Sequence, residues 1–375
     1  MNDLIYLDHA ATTPLDPAVL AAMQPYLTDH YYNPSAQYLA ARAVRKDIEA
    51  ARARIAHWFG SRPSEVVFTA GGTEANNLAI HGVMTGYPDS NIVVSAVEHD
   101  AVLEPAAQYD HRTAPVRADG VVDVDALLPL IDDNTVLVSV MYANNELGTI
   151  QPIRAIAEKL AALRKGRERP LYFHVDACQA SAYLDLHAAR LGVDLITINA
   201  SKIYGPKQVG ALYVRAGIEL HPQMLGGGQE RHLRSGTENV AGIIGFAAAL
   251  DLVQGRKTEE VQRLKGLQKV FFDLMAEKTP QVRINGSLKH RLPNNVHITV
   301  PNTDNERLMM QLDEAGVLVA VGSACSASSE EPSHVLRAIG MPDSEAQASL
   351  RITMGRSTTE AAVRRTVELL QQFTS

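Results

Sequence analysis

Two cysteines, Cys178 and Cys325, are all that the 375 residues contain. So few thiols cannot build a disulfide framework, and in a reducing compartment a bond between these two is not expected. Each is therefore read alone, as a core residue or as a reactive thiol. Long hydrophobic runs are also missing: none approaches the roughly 20 apolar residues that cross a bilayer. The opening MNDLIYLDHA has no basic region followed by a long apolar core, so a secretory signal is not expected and the chain reads as cytoplasmic. Positive charge is not in excess. Lysine and arginine number 35 against 42 acidic residues, a net charge of −7, which argues against a nucleic-acid surface or an anionic membrane as the main partner. The densest basic run, Arg164 to Arg169, is interrupted by Glu168 and reads as a solvated helix end. There is no GxGxxG and no GK[ST], so neither a dinucleotide fingerprint nor a P-loop is present. Internal repeats and low-complexity segments are absent.

What is present is an alternation. Short runs rich in Val, Ile and Tyr occur at 66–70, 91–97, 135–143, 171–177, 195–200 and 210–214, as strands buried on both faces require. Helical patterns lie between several of them, including 153–165 and an earlier helix with Val44, Ile48, Ala51, Ile55 and Phe59 on one apolar face. This predicts an α/β fold around a largely parallel, doubly wound sheet. The last third differs. A helical stretch near 257–278 is followed by strand-like 296–300, 316–322 and 350–354, which reads as a smaller α+β domain beginning near residue 255.

Four constellations carry possible chemistry. In FTAGGTEANN a strand runs into Gly71-Gly72-Thr73 and then a helix, whose free N–H groups and positive dipole end suit a phosphate; a plain connector turn has the same composition. In HVDACQ, His174, Asp176 and Cys178 share one strand face. That set permits a metal site, or an acid at a buried strand end paired with a cationic ring nitrogen. Lys202, in NASKIYGPK, follows a buried strand and precedes a Gly-Pro turn; it is a snorkelling surface residue or an imine-forming amine. Cys325 sits in GSACSASSEEPS, a run of Gly, Ser and Ala expected to be an accessible loop, so it reads as a thiol that travels to its target.

A phosphate seat, an acid for a ring nitrogen and a lysine for an imine, in that order, are what pyridoxal phosphate requires. At this point the chain resembles the cysteine desulfurases of the NifS/IscS type, within the class V aminotransferase family. The resemblance runs through YLDHAATTPLDP, FTAGGTEANN, VEHDAV, ANNELGTIQP, HVDACQ, SKIYGPK, GGGQERHLRSGTEN, GSACSASSEEPSHVLRA and LRITMGRSTTEA, nearly the whole chain. It implies the type I, aspartate-aminotransferase-like pyridoxal-phosphate transferase fold. A large cofactor domain would span 14–256. A small domain would combine 1–13 with 257–375 and carry the cysteine segment at about 322–332.

The resemblance also implies roles. Lys202 would hold pyridoxal 5'-phosphate as a covalent aldimine, Asp176 would keep the ring nitrogen protonated, and His99 would stack on the ring and move protons. Gly72, Thr73, Asn199 and Ser201 would hold the phosphate, with Thr237 reaching it from the other subunit of a homodimer. Gln179 and Asn145 would contact the ring oxygen and the substrate side. Arg351 would grip the substrate carboxylate as a bidentate fork, with Asn33 at the same end. Cys325 thiolate would take sulfur from L-cysteine, leave L-alanine, and pass the sulfur to an acceptor such as an iron–sulfur scaffold or a tRNA thiolase. Neither nucleic acid nor membrane would be bound directly. The chain departs from the family pattern in three places. Asn199-Ala200-Ser201 precedes Lys202 where Ser-Gly-His or Ser-Ala-His is usual, Tyr38 stands in place of a His, and His232 stands in place of a Gly. Selenocysteine lyase, an aminotransferase and a non-catalytic sulfur-carrier subunit are the competing readings, and Cys325 and Lys202 are the residues that separate them.

Overall fold

The computed structural model describes residues 4–322 and 332–374. Twelve strands are present among them: β1 (Ile5–Tyr6), β2 (Val66–Thr69), β3 (Asn91–Ser95), β4 (Asp110–Ala114), β5 (Thr135–Ser139), β6 (Tyr172–Asp176), β7 (Leu195–Asn199), β8 (Gly210–Val214), β9 (Arg283–Ile284), β10 (Asn295–Thr299), β11 (Val317–Leu318) and β12 (Ser349–Thr353). Seven form one sheet in the order β2-β8-β7-β6-β5-β3-β4. Only β8 runs against the rest, pairing antiparallel with both β2 and β7. Strands β2, β3, β5 and β8 are buried along their length, and β7 in all but its last residue, Asn199, as expected of a sheet with helices on both faces.

The Leu39–Phe59 helix buries Val44, Ile48, Ala51, Ile55 and Phe59 against one face. The Gly72–Met84 helix buries Ala75, Leu78, Ala79, Ile80 and Val83 against the other. Gly60 closes the first of these helices in the left-handed conformation, φ +63°, the usual glycine stop. Beyond the Val240–Gly255 helix, Arg256 breaks the chain before the Lys257–Lys278 helix begins. From there a second core forms around Leu264, Phe271, Ile298, Leu312, Ile352 and Val367, and Leu7 from the opposite end of the chain is buried in it. Strand β1 pairs in parallel with β11, while β9, β10 and β12 make a small antiparallel sheet. No helix of the described chain is long and apolar enough to cross a membrane.

The expected solvated helix end at 164–169 is only partly so. Arg164 donates to the Leu171 carbonyl at 2.8 Å and pairs with buried Asp194, and Arg167 donates to the carbonyl of Asp132 at 2.8 Å. These arginines tie loops together beneath the sheet.

A strained turn follows the glycine run at 226–228. Glu230, Arg231 and His232 all have left-handed backbones, at φ 46°, 58° and 66°. The Glu230 carboxylate holds the turn in place, taking both Nη atoms of buried Arg52 at 2.6 and 2.7 Å and the Phe68 amide at 2.8 Å. A left-handed residue with a β-carbon costs about 1 kcal/mol. His232→Gly should therefore raise stability by up to about 1 kcal/mol, a gain in melting midpoint of about 1–2 °C for a chain of this size. A scanning calorimetry trace of the variant checks this. A fall in midpoint would mean that the His232 ring, which packs over Gly228, contributes more than the strain costs.

Candidate active site

All the parallel strands of the large sheet point the same way, so their C-terminal ends share one edge. Ligands of open α/β sheets bind at that edge. The loop after β2 supplies Gly72 and Thr73, that after β3 His99, and that after β5 Met141, Ala143 and Asn145. The end of β6 supplies Asp176, Cys178 and Gln179, and that of β7 Asn199 and Lys202. These residues, with Ala10 and Ala11 from the N-terminal segment and Arg351 from β12, line one cavity of about 220 Å³. Of the residues expected at the site, Gly72, Thr73, His99, Asn145, Asp176, Gln179, Asn199, Lys202 and Arg351 are brought together here. Asn33 and Thr237 are exposed and lie outside the cavity of the single chain, and Ser201 stands just behind it. Cys325 lies outside the described residues.

The anion seat is made by the start of the Gly72–Met84 helix. Ala75 N–H closes the first turn onto the Gly71 carbonyl at 3.1 Å, so the N–H groups of Gly72 and Thr73 have no partner within the helix. A β-carbon on Gly72 would come within 2.8 Å of Cys178 Sγ, so only bare backbone fits at this point of the cup. Glu74 is turned away. Its carboxylate accepts from Ala70 N–H at 2.8 Å and from Arg234 at 2.8 Å.

Asp176 is buried at the end of β6. One carboxylate oxygen accepts from Asn76 Nδ2 at 2.7 Å and the other from the Cys178 amide at 2.8 Å. It forms no ion pair with an arginine or lysine of the described chain. A buried carboxylate held in this way, facing a cavity and without an ion pair among the described residues, suits a cationic ligand atom. Asn76 is a functional residue the sequence reading missed. It lies one helical turn beyond Gly72-Thr73, and that spacing, which faces it toward the same end of the sheet, was the available signal.

Behind Asp176, the His174 ring bridges Ser139 Oγ at 2.8 Å and Thr197 Oγ1 at 3.1 Å. Burial lowers its pKa to about 4, so it is a neutral core histidine with both nitrogens engaged. No group of three or more His, Cys, Asp or Glu placed to hold a metal occurs among the described residues. Cys178 lines the cavity, but burial, reinforced by Asp176, pushes its thiol well above the ordinary cysteine range.

Lys202 sits on a single 3₁₀ turn directly after β7, and its Nζ donates to the Ala11 carbonyl. His99 caps the Asp100–Ala106 helix, its Nδ1 accepting from Ala101 N–H at 3.0 Å. With Nδ1 accepting this bond, the ring hydrogen is carried on Nε2. Arg351 is buried and bound to Asp8 at 2.8 Å, with a longer contact to the Asn145 carbonyl at 3.4 Å. Its Nε has no partner among the described residues, the orphan donor that a carboxylate ligand would satisfy. Asp8, which orients this guanidinium, gave no signal in the sequence.

Next to His99 lies Glu98, fully buried. Its Oε1 accepts from Ser95 Oγ and, at 2.6 Å, from Met141 N–H, while Oε2 has no partner among the described residues. Burial raises its pKa to about 8. Because the folded value exceeds the unfolded one, the neutral acid favours folding at low pH, and that contribution falls as pH rises from about 4.5 through about 8. Glu98→Gln keeps the shape and removes the titration. Relative to the variant, wild-type stability should fall with pH across this window, by at most about 1.4 kcal/mol per pH unit. Urea unfolding of both proteins at several pH values measures the difference. A difference independent of pH would show that Glu98 is ionised in the fold.

The residues present fit pyridoxal phosphate: a backbone cup for an anion, an uncompensated acid for a ring cation, an amine within the cavity and an orphan guanidinium nitrogen for a carboxylate. Comparison with known proteins agrees. The model of the class V aminotransferases matches residues 5–366. The cysteine desulfurase IscS of Dictyoglomus turgidum is 43% identical over all of this chain and 95% of its own length. Cysteine desulfurase IscS 1 of Archaeoglobus fulgidus is 40% identical over 97% of this chain and 95% of its own. Among solved structures, a NifS-like protein superposes with a TM-score of 0.90 at 31% identity, covering 99% of each chain. SspA in complex with cysteine superposes at 0.80 with 32% identity, covering 93% of this chain and 98% of that one. The mixed seven-stranded sheet with its smaller partner domain is the type I pyridoxal-phosphate transferase fold. From the anion cup to the arginine of β12, the chain belongs to the class V aminotransferase family, within its cysteine desulfurases.

Proposed function

We propose that this chain carries out the cysteine desulfurase reaction of its family with pyridoxal phosphate held at Lys202 and Cys325 as the sulfur-accepting thiol. The observation that carries the assignment is the meeting of Lys202, Asp176, Gly72-Thr73 and Arg351 around one cavity. When bound, the cofactor supplies an electron sink for the substrate's α-carbon. The chain supplies the rest. The cup at Gly72 and Thr73, with Asn199, holds the phosphate. Asp176, oriented by Asn76, keeps a proton on the ring nitrogen, and Gln179 and Asn145 flank the ring oxygen and the substrate. Arg351, held by Asp8, takes the substrate's α-carboxylate and so fixes the orientation of the amino acid in the cavity. Lys202 Nζ and His99 Nε2 are the two groups placed to accept and return protons. Cys325, as thiolate, attacks the substrate sulfur. A sulfur–sulfur bond forms, the substrate carbon–sulfur bond breaks, and L-cysteine and one enzyme thiol become L-alanine and one enzyme persulfide, with no external oxidant.

The persulfide would then pass to an acceptor protein, an iron–sulfur scaffold or a tRNA thiolase. Thr237 would complete the phosphate seat of a second copy, making the active form a homodimer. The deciding experiment incubates the full chain and pyridoxal phosphate with L-cysteine and measures alanine together with protein-bound sulfane sulfur. Equal yields of the two in the first turnover support the assignment. Amino transfer to a 2-oxo acid, or alanine without protein-bound sulfur, would overturn it in favour of an aminotransferase or a lyase.

A further inference from the structure

The departure at Asn199-Ala200-Ser201 has a geometric resolution. Asn199 ends β7 and lines the cavity; Ser201, two residues on, does not. Ser201 uses both of its donors on one atom: its backbone N–H and its Oγ each donate to Asn199 Oδ1 at 3.0 Å. A backbone N–H can only donate, so the Asn199 atom it meets must be the carbonyl oxygen. The amide is thereby fixed, and Nδ2 points the other way. It lies 3.5 Å from the position a β-carbon on Gly72 would occupy and has no hydrogen-bond partner in the described chain. Ser201 is in turn pinned from behind, its carbonyl accepting Thr13 N–H at 2.9 Å and Thr13 Oγ1 at 2.9 Å.

We infer that Ser201 is a positioning residue: it holds the Asn199 side chain so that Nδ2 joins the backbone N–H groups of Gly72 and Thr73 as a donor to the cofactor phosphate. The inference rests on the proposed cofactor and assigns Ser201 an indirect part, in which it never touches the phosphate. Ser201 does not line the cup, and both of its donors are engaged by Asn199. Acting through Asn199, it supplies one neutral, directed donor in place of a second side-chain contact. An unheld asparagine could turn Oδ1 toward the phosphate and repel it.

The test separates a phosphate effect from a general loss of fit by titrating the full chain, stripped of cofactor, with pyridoxal phosphate and with pyridoxal. Ser201→Ala, which loses the Oγ bond to Asn199 Oδ1 and keeps the backbone one, should weaken pyridoxal-phosphate binding by about three- to tenfold, the range of one hydrogen bond, and leave pyridoxal binding within about twofold. Ser201→Thr, which keeps the hydroxyl, should restore the wild-type ratio. Asn199→Asp, which replaces the donor by an acceptor of the same shape, should lose more than Ser201→Ala, again selectively for the phosphorylated ligand. Unchanged binding by Ser201→Ala, or equal losses for both ligands, would overturn the inference. Wild type that binds neither ligand would instead overturn the cofactor assignment itself.

Discussion

Lys202→Ala is expected to lower alanine release from L-cysteine by at least about a thousandfold, because it removes both the covalent anchor and a proton carrier from one site. The loss should be specific. Lys202 is the only lysine lining the cavity, and Lys207, the nearest in sequence, spends its amine on the Thr13 carbonyl at 2.8 Å. The anion cup, Asp176 and Arg351 remain, so the variant should still take up pyridoxal phosphate, but reversibly. Two measurements separate the parts of the claim. Borohydride reduction of the wild-type holoenzyme should fix the cofactor to the peptide containing Lys202, and the variant should yield no labelled peptide. Dialysis should remove the cofactor from the variant and not from the wild type. Label on Lys207, or turnover within tenfold of wild type, would refute the assignment of Lys202.

Cys325→Ser should reduce alanine release by at least about a hundredfold while cofactor binding stays within twofold, since a hydroxyl is a far weaker nucleophile toward sulfur than a thiolate. The segment 323–331 that contains Cys325 is outside the described residues, but its neighbours on both sides are bonded to the site. Ala320 exchanges both backbone hydrogen bonds with Arg351, at 3.1 and 2.8 Å. Ser333 Oγ donates to the buried Glu146 carboxylate at 2.6 Å, beside Asn145. Cys178→Ser is the control. Its thiol faces the cavity, yet burial keeps it protonated, so it should retain most activity. Alanine release by both variants under one set of reducing conditions decides between them. Near-normal turnover by Cys325→Ser would mean that sulfur leaves without this thiol.

The large sheet was legible where strands are apolar on both faces. The runs at 66–70, 195–200 and 210–214 became β2, β7 and β8 with little change at their ends. Strand β4, Asp110–Ala114, was missed because it is a polar edge strand exposed along most of its length, with no hydrophobic period to find. The reversal of β8 was equally hidden, since a short buried run looks the same in either direction. The segment 316–322 reads as a seven-residue strand, but only Val317 and Leu318 pair as one. Its remaining apolar residues pack without a continuous ladder, a tertiary choice that alternation cannot reveal. At the site, chemistry-bearing residues were found through ordered motifs, while the residues that orient them were not. Asn76, Asp8 and Glu98 act through partners 100, 343 and 43 residues away, and nothing in a single sequence marks such pairs.

The N-terminal segment has a consequence for when the active site comes into being. Within ten residues it joins Leu318 through Leu7, Arg351 through Asp8, Thr353 through His9, Gln179 through Ala10, Lys202 through Ala11 and Ser201 through Thr13. Its contacts with Leu318, Arg351 and Thr353 therefore wait until the C-terminal third has been made. Contacts of such long sequence separation form late. The sheet, its anion cup and the bonds of Ala10 and Ala11 to Gln179 and Lys202 use no residue of the C-terminal third, but the arginine of β12 and its pairing with Asp8 do. A nascent chain released before β12 should thus hold the phosphate end of the cofactor without being able to seat an amino acid against it.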